Sequence, residues 1–416
     1  MATLKKPVYV TAGYYTVSLG TGRKEFRPKD KRPGVEHYIK EVGEASLAQI
    51  NDPANIDEGV LGSFMMSRYN RQGNRPGFIP MIHPALVNKP CTGTEGACCS
   101  GGLALTVAVK SILAEVADTV LTVGVEVQNS VKAVYGADIL AGAGHYASQR
   151  KEGHAHFFPG QFSDRAGAYF AKYGGNAARE AMALWYVNAV ENARRNPKAQ
   201  EYHNSLEDLY AIGMTPPNAK AFCENINYYD CSKVSDAGAS LVFASGDGLE
   251  KLGVDMKDAA QVISYGQAES DITKLPDDLT LEWTTKAAVE QALKDADLSI
   301  DDIGFFEFHD CFSIGALLAM ESIGLAERGK APEYIKSGKI KLNGKTPINT
   351  GGGLIGYGHP VGASGVRQAV DIWSQLTGKS GDFQIEIDPK RPYGLSISMG
   401  GNDITVVSMI FKKVDA

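Results

Sequence analysis

The sequence predicts a layered α/β protein made of two similar halves. Three observations carry this reading. Amphipathic helical stretches alternate with continuous apolar strands, the pattern of a sheet covered on both faces. A helix, an acidic turn and a strand follow one another once in each half of the chain. The 416 residues, 44% of them hydrophobic, suffice for one large core or two medium ones.

Taken in order, residues 35–50 have helical periodicity, and Asn55-Ile56-Asp57-Glu58-Gly59-Val60-Leu61-Gly62-Ser63-Phe64 reads as a turn entering a strand. In the second half, residues 283–296 repeat the helix. Ser299-Ile300-Asp301-Asp302-Ile303-Gly304-Phe305-Phe306-Glu307-Phe308 then repeats the turn and strand. A further pair matches: Ser100-Gly101 opens a helix running to Ile112, and Ser364-Gly365 opens one running to Leu376. Apolar strands follow at 120–125 and 393–398. From about 130 to 230 the chain becomes rich in Tyr, His, Asn and charge, with helices expected at 165–173, 180–194 and 205–212 between Pro and Gly. This stretch reads as an insertion that covers a site, not as a third core. Residues 235–243 return to a buried strand.

Bulk composition narrows the function. A formal net charge of -6 and a pI near 5.8 argue against a general nucleic-acid or membrane-surface binder, which needs a basic excess. The 46 glycines exceed the roughly 7% of ordinary chains and gather at 100–102, 351–358 and 400–401, where they mark tight turns. Six cysteines, at 91, 98, 99, 223, 231 and 311, stand in a chain without a hydrophobic signal core at its start, so reduced thiols are expected. The spacing of Cys223 and Cys231 lacks a companion pair for zinc. No apolar run approaches the ~20 residues of a membrane span, and the last residues, Lys-Val-Asp-Ala, are not a Ser-Lys-Leu type address. The expected compartment is cytoplasmic.

Three segments carry chemistry. Cys98 and Cys99 lie where an extended segment gives way to the helix opening at Ser100; a helix N-terminus favours thiolate over thiol. His309 and Cys311 flank Asp310 at the end of an apolar strand, where alternate residues share a face. There a histidine can donate to an oxyanion and a cysteine can exchange a proton with carbon. Gly351-Gly352-Gly353-Leu354-Ile355-Gly356-Tyr357-Gly358-His359-Pro360 is a folded glycine loop that holds His359 ready to take a proton from a thiol. It lacks the Gly-Lys-Ser/Thr ending of a phosphate loop and Rossmann spacing after a strand. Met399-Gly400-Gly401-Asn402 interrupts the last strand; Gly400 is either an oxyanion-binding backbone position or a simple bulge. His154 and His156 lack a third ligand at sensible spacing, so no metal is expected. Two thiols and two imidazoles suit carbon–carbon bond chemistry through a thioester.

The pattern resembles the thiolase superfamily over nearly the whole chain, and specifically the sterol-carrier-protein type. Cys98-Cys99-Ser100-Gly101-Gly102 matches that group's Cys-Ala-Ser-Gly-Gly, which puts the nucleophile at Cys98 and the family's alanine at Cys99. His309-Asp310-Cys311-Phe312 matches its His-Asp-Cys-Phe, and Gly358-His359-Pro360 its Gly-His-Pro. Other thiolases carry Asn-Glu-Ala-Phe and a C-terminal Cys-x-Gly; here that last motif is Ser398-Met399-Gly400, which fits transfer of the acid/base role to Cys311. One departure is Ser235-Asp236-Ala237-Gly238-Ala239 where the family reads Ser-Asp-Gly-Ala-Ala.

The resemblance implies two βαβαβαββ halves in a five-layer αβαβα sandwich: 1–130 with 231–248, then 249–416, with an inserted, coenzyme A-covering segment at 131–230. It implies CoA-dependent cleavage of a 3-oxoacyl-CoA, or the reverse Claisen condensation, through acyl-Cys98. His359 would act as base, His309 as oxyanion donor and Cys311 as acid, with coenzyme A as co-substrate and no resident cofactor. A homodimer or tetramer is expected, with a small zinc-ribbon/OB-fold subunit as a further partner. Phe157, Phe158, Phe162, Tyr169, Phe170, Trp185 and Tyr186 suggest a bulky or aromatic acyl group, as in benzoylsuccinyl-CoA thiolases, although core packing explains them too. The competing readings are another condensing acyltransferase and a non-catalytic acyl-CoA-binding subunit.

Overall fold

A computed structural model describes residues 4–27, 29–150 and 156–414. Its nine strands are β1 (Val8–Tyr15), β2 (Glu58–Gly62), β3 (Cys91–Thr94), β4 (Thr119–Val127), β5 (Asp236–Ala244), β6 (Ala260–Glu269), β7 (Ile303–Glu307), β8 (Tyr393–Gly400) and β9 (Thr405–Lys413). They hydrogen-bond in the order β3-β2-β4-β5-β1-β6-β9-β8-β7. The helices that frame the site are α1 (Val35–Leu47), α2 (Ser100–Leu113), α3 (Ala133–Leu140), α4 (Phe157–Tyr173), α5 (Gly175–Ala193), α6 (Trp283–Ala296), α7 (Ser313–Ser322), α8 (Gly353–Tyr357) and α9 (Val361–Leu376).

The repeat seen in the sequence becomes a pseudo-twofold. In the first half β2 runs parallel to β3 and β4, β4 is antiparallel to β5, and β5 is antiparallel to β1. In the second, β7 runs parallel to β8, β8 is antiparallel to β9, and β9 is antiparallel to β6. Even β3 has a counterpart, a single parallel bridge from Phe306 to Ile348. The halves meet where β1 pairs antiparallel with β6, Val8 facing Val262 and Val10 facing Ala260.

Layering explains the long apolar runs. Helix α1 covers β1, β4 and β5 from outside, and α6 covers β6, β8 and β9. Helices α2 and α9 pack on each other and reach strands of both halves. Thus β4 and β5 are buried along their full length, as strands with helices on both faces must be. The resulting order is α1, first-half strands, α2 with α9, second-half strands, α6: the five layers expected.

Some boundaries differ from expectation. Helix α9 starts at Val361, three residues before Ser364, because Pro360 fixes the entry and its carbonyl accepts from the N–H groups of Ala363 and Ser364. The helix expected at 205–212 is the short turn Leu209–Gly213, capped by Asp208. Residues 399–402 do not interrupt a strand: Met399 and Gly400 end β8, paired with Val406 and Thr405, and Gly401, at φ +70°, and Asn402 begin the turn into β9. The 128–235 stretch shares one hydrophobic cluster with the second half: Phe162 stacks on Phe312 at 4.3 Å and Trp185 on Phe308 at 6.4 Å between ring centroids. No helix among the described residues is long and apolar enough to cross a membrane.

Candidate active site

Cys98 stands in the turn between β3 and α2. Ala97 adopts φ +52°, and hydrogen bonds hold that strained turn: Ala97 N–H donates to Glu95 Oε1 (2.7 Å), Ser100 Oγ–H to the Ala97 carbonyl (2.6 Å), and Gly96 N–H to Ser100 Oγ (3.1 Å). The two adjacent thiols part company. Cys98 lines a cavity, whereas Cys99 turns into the core and donates to the Ser398 carbonyl at 3.1 Å.

His309 and Cys311 follow the end of β7, and Asp310 anchors them. Its carboxylate accepts from the backbone N–H of Leu354 (2.6 Å) and the Trp185 indole N–H (3.0 Å). One side chain thereby ties the β7 loop to α8 and to α5. The Cys311 carbonyl accepts from Ser232 N–H at 2.8 Å, and single bridges join Cys231 to Phe312 and Val234 to His359. The 231–235 strap therefore lies along both loops.

His359 is oriented at two points. Its backbone N–H donates to Ser235 Oγ at 3.0 Å, and its ring Nδ1 lies 2.8 Å from Ser364 Oγ. Ser364 Oγ also lies 3.1 Å from the Pro360 carbonyl, which can only accept. The hydroxyl proton therefore goes to Pro360, Nδ1 carries the ring proton, and Nε2 keeps a lone pair. Nε2 is buried without a hydrogen-bond partner, as are both ring nitrogens of His309. The two rings cross edge-to-face with centroids 5.0 Å apart.

Cys98, His309 and His359 bring one donor atom each within 4.8 Å of one another; among the described residues these are the three that could also hold a metal ion. Cys98, Cys311 and His359 share a cavity of about 410 Å³. The buried ends of its lining, Cys98, Cys311, His359 and Val361, form the floor, while exposed Thr21, Ala133, Tyr228 and Val234 mark the mouth.

Burial dominates the electrostatics, and here it overturns an expectation. The helix N-terminus does not leave Cys98 a thiolate: desolvation pushes its thiol up to about 12, against a smaller opposing pull from the Gly401 N–H. Burial raises Cys311 well above an ordinary thiol, and the nearby Cys98 adds to it. His359 is pushed down to about 3 by burial and then by the Arg367 cation; His309 is lowered for the same reasons, with His359 between them in weight. The resting site holds two thiols and two neutral imidazoles, waiting for substrate to draw a proton.

Of the residues singled out from sequence, Cys98, His309, Cys311 and His359 converge. Gly400 sits at the hairpin's edge paired with Thr405, so close to the Cys98 loop that a Cβ would fall 2.1 Å from the Gly96 carbonyl; the N–H drawn to the Cys98 sulfur is that of Gly401. His156 lines the cavity, and His154 lies outside the described residues. Phe157 and Phe158 face the cavity, but Phe162, Tyr169, Trp185 and Tyr186 pack in the core. Sequence reading missed Ser235, Ser364, Asp310 and Glu126. Glu126, the one acid in the apolar strand β4, accepts from Ser63 Oγ and from the N–H groups of Phe64, Met65 and Gly362, clamping the His359 loop beside Cys98.

Residues 266–413 match the family described as thiolase C-terminal domain-like. An acetyl-CoA acetyltransferase of Methanothermobacter thermautotrophicus is 30% identical over 379 residues, 89% of this chain and 94% of that protein. The benzoylsuccinyl-CoA thiolase subunit BbsB of Thauera aromatica is 25% identical over 304 residues, 72% of this chain and 74% of that one. Among solved structures, an Ltp2-ChsH2(DUF35) aldolase superposes with a TM-score of 0.78 at 18% identity, over 99% of this chain and 98% of that one.

Proposed function

The chain belongs to the thiolase family of acyl-CoA acyltransferases, and from that premise we propose that it cleaves a 3-oxoacyl-CoA with coenzyme A, or runs the reverse condensation, through an acyl-Cys98 thioester. The observation that carries this is the unpartnered Nε2 of His359, its tautomer set by Ser364, in one cavity with Cys98 and Cys311.

In the cleavage direction the Cys98 sulfur attacks the 3-oxo carbon while its proton passes to His359 Nε2. Backbone N–H groups of Cys98 and Gly401 receive the oxyanion. The bond between C2 and C3 breaks, the Cys311 thiol protonates C2, and a His309 ring N–H holds the enolate oxygen. Acetyl-CoA leaves, with acyl-Cys98, a Cys311 thiolate and protonated His359 remaining. Coenzyme A then attacks the thioester; its thiol proton goes to Cys311, and His359 returns its proton to the departing Cys98 sulfur. Every group ends as it began.

Phe157, Phe158, Phe222 and Tyr228 in the wall, together with the likeness to BbsB, support a bulky or aromatic acyl chain. We read the protein as a cytoplasmic homodimer or tetramer, divided as 1–130 with 231–248, 131–230 and 249–416, and served by a small zinc-ribbon/OB-fold subunit. The DUF35 component of the aldolase named above supports such a partner. The deciding experiment is peptide-mapped mass spectrometry after brief exposure to acetyl-CoA and acetoacetyl-CoA. An acetyl adduct on Cys98 is expected; full turnover by Cys98→Ala would refute the assignment.

A further inference from the structure

Three side chains of the site share a second chemistry. Cys98, His309 and His359 each offer one donor atom, and the three atoms lie within 4.8 Å of one another. They come from three separate turns, after β3, after β7 and before α9, so no spacing in the sequence announces them. A tetrahedral Zn²⁺ bound at ~2.3 Å to sulfur and ~2.0 Å to nitrogen holds its ligand atoms roughly 3.3–3.7 Å apart. Closing to that distance asks for about 1 Å of movement, which a rotation of the Cys98 side chain supplies.

Their surroundings fit ligation as well as catalysis. Nε2 of His359 and both ring nitrogens of His309 are buried with no hydrogen-bond partner. At His359 the ligating atom is Nε2, because Nδ1 is held 2.8 Å from Ser364 Oγ, the kind of outer contact that orients a metal-bound histidine. Cys98 and His359 line the cavity, which gives an ion its entry path. Among the described residues no carboxylate lines that cavity. A hard cation such as Mg²⁺ therefore finds no charged oxygen there, whereas thiolate and imidazole suit zinc. The Arg367 cation that acts on both imidazoles is itself paired with Glu307 and Asp371, so its repulsion of a bound ion is partly offset.

We propose that Cys98, His309 and His359 form a reversible Zn²⁺ site whose occupancy switches the enzyme off. On binding, the Cys98 thiol gives its proton to solvent and its sulfur joins the ion as thiolate. His359 Nε2 and one His309 nitrogen donate lone pairs, and a water from the cavity takes the fourth position. No redox change occurs, and removal of the ion returns a proton to the sulfur. The ion engages the nucleophile, its base and the enolate's hydrogen-bond donor at once. The exclusion of acylation rests on the acyl-Cys98 reading, whereas the metal site stands without it.

The test is titration of the full chain with Zn²⁺ by calorimetry and with Co²⁺ by absorption, where a thiolate ligand gives a near-ultraviolet charge-transfer band. One ion per chain is expected, with Mg²⁺ giving no heat at the same concentration. Cys98→Ala should abolish the charge-transfer band. His309→Asn and His359→Asn should each weaken binding by more than about a hundredfold, the upper end of the loss from an outer partner alone. Cys91→Ser, a change of a thiol outside the cavity, should bind as wild type does. No uptake by wild type, a band that survives Cys98→Ala, or wild-type affinity in either histidine variant overturns the site. Wild type alone supplies a check that no misfolded variant can mimic: saturating Zn²⁺ should slow alkylation of Cys98 by iodoacetamide at least about tenfold, and a chelator should restore it. An unchanged alkylation rate overturns the site. The two readings fail separately: Zn²⁺ uptake without acetylation of the metal-free Cys98 refutes the chemistry and keeps the site. Acetylation of Cys98 at full rate under saturating Zn²⁺ refutes the site and keeps the chemistry.

Discussion

His359 shows how much a buried group is fixed by its surroundings. Its ring is held near a pKa of about 3, against 6.5 for an ordinary histidine. Between those values the unfolded chain binds the proton that the folded chain refuses, so folding stability rises with pH. The contribution is complete above about pH 6.5 and is lost on acidification, by up to about 1.4 kcal/mol per pH unit. We expect urea unfolding of wild type to lose stability between pH 6.5 and 4.5 more steeply than His359→Asn; parallel pH dependences would show that His359 titrates normally in the fold. The residues that do chemistry were legible because cysteine and histidine are scarce and stood in three motifs. Their holders were not, since Ser235 and Asp310 are ordinary residue types whose partners, His359 and Trp185, lie 124 and 125 positions away.

The elements that bring Cys98 to His359 are α2 and α9, and they touch through glycine. A Cβ on Gly101 would stand 2.7 Å from the Gly362 carbonyl oxygen and 3.0 Å from the Val366 nitrogen. These are backbone atoms of a helix, so the helices must separate and carry Cys98 away from His359. Gly101→Ala should destabilise the fold by about 1–3 kcal/mol, the range of overpacked cores, and lower acyl transfer along with it. Gly246→Ala, where a Cβ meets nothing within 4 Å, is the control and should change neither. Wild-type melting and activity in Gly101→Ala would mean that the helices do not meet as described. At this scale the sequence was most legible where periodicity was undisturbed: α6 spans the 283–296 expected from it. Strands β1, β6 and β9 went unnoticed; β9 is buried on six consecutive residues, 406–411, so it lacks the alternation that marks a half-exposed strand.

At the scale of the whole molecule, the question is whether two homologous halves unfold as two bodies or one. Chains of this size commonly unfold through intermediates. Three connections oppose that here: β1 and β6 share a ladder, α2 and α9 each reach strands of both halves, and the 128–235 stretch buries Trp185 and Phe162 in the cluster that contains β7 and β8 residues. Exposing either half would strip the other of a face of its core. The amides of β4 and β8, one central strand from each half, should therefore exchange hydrogen through the same global opening, with free energies that fall in parallel as urea is added. A gap of more than about 2 kcal/mol between the two strands would mark separate cooperative units. Equal values would mean that the site, drawn from loops of both halves, persists only while the entire sheet does.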